Sequence, residues 1–116
     1  MKFARLKVHG KDAGIHVSIT QTMCERMRGL LGRDSLPPGE AILLRRCGSV
    51  HTFGMRFDID VLFLDRHERV VAIHHGVRKR RLLLNLRAAH TLEMPAGAAG
   101  KHGLAVGDYF VFEATS

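Results

Sequence analysis

Apolar and polar residues alternate in short runs along this chain. Leu6-Lys-Val-His9 and Ile15-His-Val-Ser-Ile19 have the period-two spacing of half-buried strands. Gly10-Lys-Asp-Ala-Gly14 between them carries turn chemistry, so an N-terminal hairpin is expected. Thr22-Met-Cys-Glu25 has the form of a capping box. A helix follows over about 22–32, with Met23, Met27, Leu30 and Leu31 on one face and Gly32 as its stop. Ala41-Ile-Leu-Leu44 is a short apolar strand. Ile59-Asp-Val-Leu-Phe-Leu64 scarcely alternates, which implies a strand covered on both faces. The Asp65–Arg69 turn then leads into Val70–His75, a second hairpin. Leu82–Leu84, His90–Met94 and Tyr109–Glu113 are further strands, and Pro95–Gly103 is a Gly-rich turn with room for one helical turn.

Many short strands and one helix predict a mainly-β fold. The expected architecture is a two-sheet sandwich or a partly open, jelly-roll-like barrel, in one domain over 1–116. The chain has 116 residues, enough for one core without staples. Cys24 and Cys47 are too few for a disulfide framework and match no zinc-ribbon spacing. No apolar run approaches the roughly 20 residues of a spanning helix, and the charged N-terminus lacks the apolar region of a signal peptide. The expectation is a cytoplasmic protein with no membrane partner.

Charge is uneven. Net charge is +7, and Arg78-Lys-Arg-Arg81 is the dense basic run, with Arg87 after it. Such a run attracts polyanions, or else guards a strand edge against pairing. One Tyr and no Trp leave few platforms for stacking bases, which argues against nucleic acid as the partner.

The candidate site begins with Cys47-Gly-Ser-Val-His-Thr-Phe-Gly-Met55, a Gly-bearing polar segment that runs toward the most apolar strand. Asp60 interrupts that strand, on the face of Leu62 and Leu64. A buried carboxylate requires partners. Those at hand are Arg26, His51, Thr52 and the backbone of the 48–54 loop. On one reading Asp60 pins this loop and the Arg26 helix to the sheet. On the other, His51, Asp60 and Glu93 meet in a cleft with Thr52 and Met55, where a His and two carboxylates do acid–base work or hold a divalent metal. Their spacing supports neither chemistry strongly, so no catalytic role, metal or cofactor is assigned. A Cys47–His51 nucleophile pair has no transferable signature. Gly97, Gly100 and Gly103 do not follow the dinucleotide pattern.

Five motifs in order carry a family resemblance: Glu25-Arg-Met-Arg-Gly-Leu-Leu-Gly32, His51-Thr-Phe-Gly-Met-Arg-Phe57, Ile59-Asp-Val-Leu-Phe-Leu-Asp65, Leu92-Glu-Met-Pro-Ala-Gly97 and Gly103-Leu-Ala-Val-Gly-Asp108. Together they resemble the DUF192 family. The resemblance spans about 20–113 and implies a small two-sheet or jelly-roll fold with a short helix, and no established activity. Asp58 stands where the family usually has Pro, and Glu68 where it usually has Gly, so either Glu68 sits in a turn that prefers positive φ or the turn itself differs. The resulting expectation is a non-catalytic ligand-binding or accessory protein with an unknown small-molecule or protein partner. Its site is His51, Thr52, Met55, Asp60 and Glu93, with Arg26 as structural clamp. The rivals are a metal-dependent or acid–base hydrolase using the same cluster, and a weak polyanion binder through Arg78, Lys79, Arg80 and Arg81.

Overall fold

The computed structural model describes residues 2–22, 30 and 33–115. Among the described residues the strands are β1 (Lys2–Val8), β2 (Lys11–Ile19), β3 (Glu40–Arg45), β4 (Ser49–His51), β5 (Ile59–Leu64), β6 (Val70–Val77), β7 (Leu82–Leu84), β8 (His90–Pro95) and β9 (Phe110–Thr115), with one short helix, α1 (Ala98–Lys101). The fold is mainly β, as expected. The expected helix over 22–32 falls almost wholly outside the described residues, and Arg26 and Cys24 lie there too.

Seven strands form one mixed sheet in the order β6-β5-β8-β3-β2-β1-β9. All neighbours are antiparallel except β2 and β3, which run parallel and so need the crossover at 20–39. The N-terminal hairpin forms with longer strands and a tighter turn than expected. His9 and Gly10 both take positive φ (54° and 77°), as a two-residue type I′ turn requires. The sheet curls until its two outer strands meet at one corner. Val70 N donates to Asp108 O, Gly107 N to Val70 O and Phe110 N to Glu68 O, all at 2.9 Å. Elsewhere the edges part, so no closed barrel forms.

Alternation sorts the apolar residues into two cores. Leu62, Leu64, Leu92, Met94 and Leu43 share the inner core with Leu6, Ile15 and Phe110. Ile59, Val61, Phe63, Ile42 and Leu44 face the other way, under Leu30, Leu36, Val50 and Met55. This is why β5 reads as unbroken apolar sequence: each of its six residues is buried, three against each core.

The 48–54 segment is not wholly a loop. Its first part is β4, which pairs with β7 in a two-stranded ribbon, Ser49 opposite Leu84, Val50 opposite Leu83 and His51 opposite Leu82. Val50 and Leu83 turn inward onto the outer core. Gly48 sits where the ribbon meets the 85–88 turn. A Cβ there would lie 2.9 Å from Ala88 O and 3.3 Å from Asn85 O. Both obstacles are backbone atoms that cannot swing aside. Gly48→Ala should therefore cost about 1–3 kcal/mol in urea denaturation, an overpacking penalty. Unchanged stability would mean that the turn moves freely.

Candidate functional site

The register decides which expected site residues meet. Across β3, β8 and β5, Ile42, Glu93 and Val61 stand side by side, and Asp60 stands opposite Met94. Directly opposed residues share a face, and successive residues alternate. Glu93 therefore faces the outer core and Asp60 the inner one. The sheet lies between the two carboxyl groups.

Asp60 has no exposed surface. Its Oδ1 accepts hydrogen bonds from Gly76 N at 2.8 Å and Gly97 N at 3.1 Å, and its Oδ2 accepts one from Ala99 N at 2.9 Å. The sequence points to the 48–54 loop and to the Arg26 helix, and the latter lies outside the described residues. Among the described residues the three donors come not from the loop but from the end of β6 and from the turn that opens α1. They belong to the spatial neighbours on both sides of β5, so one side chain ties three consecutive strands of the sheet at that end. The N–H groups of the Gly-rich turn are spent on this bond rather than on a phosphate.

Thr52 is buried and holds the basic run. Its hydroxyl donates to Arg78 O at 2.6 Å and accepts from Arg81 N at 2.8 Å. Its backbone N donates to Arg81 O at 2.8 Å. The 78–81 loop is thereby fixed, with Arg80 at a φ of 61°. Met55 is a core plug whose N donates to Thr52 O at 3.1 Å. His51 is exposed on the outer face of the ribbon, its ring tilted 48° from Phe53 with centroids 6.1 Å apart. His51, Asp60 and Glu93 thus occupy the surface, the inner core and the outer core. Among the described residues, no three His, Cys, Asp or Glu side chains gather as a metal site requires. Cys47 is a free thiol whose Sγ donates to Ser49 O at 2.9 Å.

An open cleft of about 450 Å³ lies instead beside the outer strand, β6. His74, His75, Arg78 and Arg81 line it, over the apolar Ile73, Val77 and Leu83. The basic run was visible in the sequence as a charge cluster. His74 and His75 stand beside it because β6 runs directly into the basic run; that Leu83 joins them depends on the β4–β7 ribbon, whose three-residue strands leave almost no periodic signal.

These features define a small, mainly β protein with a curved mixed sheet, a buried carboxyl that ties one end of it, and a basic cleft on its rim. The chain belongs to the DUF192 family, an uncharacterized ACR, whose sequence profile matches residues 4–112. Two solved structures share the fold. One, a protein of unknown function from Novosphingobium aromaticivorans DSM 12444, is 19% identical with a TM-score of 0.80, over 94% of this chain and 84% of that one. The other, a putative transcription regulator from Sinorhizobium meliloti 1021, is 20% identical with a TM-score of 0.82, over 96% and 92%. No curated protein matches the chain.

Two predictions follow from the buried carboxyls. Asp60→Ala leaves the Gly76, Gly97 and Ala99 amides without their acceptor. A loss of roughly 2–5 kcal/mol is expected in chemical denaturation, and a neutral outcome would remove the lock. Burial pushes the Glu93 carboxyl up from its ordinary 4.5 to about 7. Below 4.5 the group is protonated in folded and unfolded chains alike, and its burial costs no charge. As pH rises from 4.5 toward 7 the unfolded chain gives up its proton first, so stability falls. Above that window the full penalty, roughly 3 kcal/mol, is present. Glu93→Gln should flatten the fall and be the more stable protein on the alkaline side. Parallel pH–stability curves for the two would contradict this.

Proposed function

We propose that this protein is a non-catalytic binding protein for an anionic ligand, seated in the cleft along β6. The observation that carries the reading is the fixed basic loop. Four cations in sequence are common on mobile surfaces, where they bind weakly because ordering them costs entropy. Here Thr52 bonds the backbone at both ends of the run, Arg78 and Arg81, and both of those residues line one cleft with His74 and His75. A fixed backbone that carries two guanidinium groups beside an apolar floor suits phosphate or carboxylate oxygens. Thr52, one of the residues singled out in the sequence, is a positioning residue in this account. His51 stands on the outer face of the ribbon, and Asp60 and Glu93 act through the fold. No observation favours a hydrolase, since its two carboxylates stand on opposite faces of the sheet.

Inorganic pyrophosphate titrated by calorimetry tests the reading. Binding should weaken as salt rises. Arg78→Ala and Arg81→Ala should each cost about tenfold, the equivalent of about 1.4 kcal/mol. Thr52→Val keeps every cation, yet should also weaken binding, because the loop is no longer held. Absent or salt-insensitive binding would refute the proposal, and a Thr52→Val variant with full affinity would refute the role given to Thr52.

A further inference from the structure

The outer face of the β4–β7 ribbon carries side chains that no described element covers. Leu82 is 67% exposed, Leu84 60% and Phe53 52%. Leu82 and Leu84 alternate with the inward Leu83, so they share the outer face with His51 and Ser49. Just past β7, Leu86 is 96% exposed at a turn. That turn is rigid. Asn85 Oδ1 accepts from Arg87 N at 2.9 Å, Ala88 N donates to Asn85 O at 3.1 Å, and Asn85 N donates to Gly48 O at 3.0 Å. Leu86, Leu84, Leu82 and Phe53 together put four large apolar side chains in water on adjoining segments, the kind of grouping that marks an interaction surface.

The charges around this face have one sign. Arg78, Lys79, Arg80 and Arg81 stand at the Phe53 end and Arg87 stands beside Leu86, all exposed. Residues 47–54 and 78–89 contain no Asp or Glu. The apolar face is therefore bracketed by cations at both ends. A protein groove shaped to receive it must match a convex ribbon and a protruding turn. A lipid interface deforms around both, takes leucine and phenylalanine below the headgroup level, and leaves arginine stems free to reach back to phosphates.

We infer that the β4–β7 ribbon docks on a bilayer surface rich in acidic headgroups, with Leu84 and Leu86 entering the interface and Arg78–Arg81 and Arg87 meeting lipid phosphates. The contact is peripheral: no helix among the described residues is long and apolar enough to cross a membrane. The inference rests on the anion reading above for Arg78–Arg81, and adds the apolar face as the second signal that stable attachment needs.

Vesicle co-sedimentation tests it, with phosphatidylcholine alone and with phosphatidylglycerol added, beside the pyrophosphate titration. The full chain should bind the acidic vesicles and leave the neutral ones. L84S/L86S alters exposed positions and should keep the native Tm. It should lose about tenfold or more of vesicle affinity while binding pyrophosphate as before. Equal vesicle binding by both proteins would overturn the inference and leave the anion reading standing. So would pyrophosphate binding without any vesicle binding. Failure in both assays would overturn the two together.

Discussion

The structure depends on one buried carboxyl meeting three backbone amides. Asp60 sits in the middle of the β6-β5-β8 group, and its partners Gly76, Gly97 and Ala99 belong to the chain on either side of β5. A curved sheet that closes at only one corner leaves backbone N–H groups unpaired at its other end. An unpaired buried amide is expensive. The carboxyl supplies acceptors that no strand is placed to give, and so fixes where β6 ends and where α1 begins. The open rim of β6, and with it the basic cleft, starts from that point.

A sheet with two buried faces keeps its polar groups apart. Asp60 and Glu93 are close in register yet are separated by the sheet itself. Asp60 is satisfied by amides. Glu93 stands among Ile42, Val61 and their apolar neighbours, which is why burial raises it so far. Both are internal consequences of packing. The surface around the basic cleft is made by short elements: the β4–β7 ribbon, the loop bonded by Thr52, and the turn of Asn85. They stand on a rigid sheet, as recognition surfaces commonly do.

Much of this was legible in the residues. The period-two runs located the long strands, the unbroken Ile59–Leu64 run located the strand between two cores, and Asp60 was marked as a charge needing partners. Glu68 has a φ of 64°, so of the two alternatives at that place the positive-φ turn is the one the fold adopts. The rest was hidden for physical reasons. Backbone amides of Gly76, Gly97 and Ala99 have no side-chain signature, so a sequence shows only polar side chains as partners for Asp60. β4 has three residues, too few for periodicity, and so its sequence reads as loop. Thr52 looked like a ligand contact because its real partners are the backbone of Arg78 and Arg81, distant in sequence.

Native-state hydrogen exchange of three amides reads the Asp60 bonds themselves. Gly76 and Gly97 are exposed residues, and exposed glycine amides without a bonded acceptor exchange freely. If the carboxyl of Asp60 holds the end of the sheet, the amides of Gly76, Gly97 and Ala99 will exchange slowly, together, and near the rate set by global unfolding. Fast exchange at Gly76 and Gly97 while β5 and β8 stay protected would contradict the account.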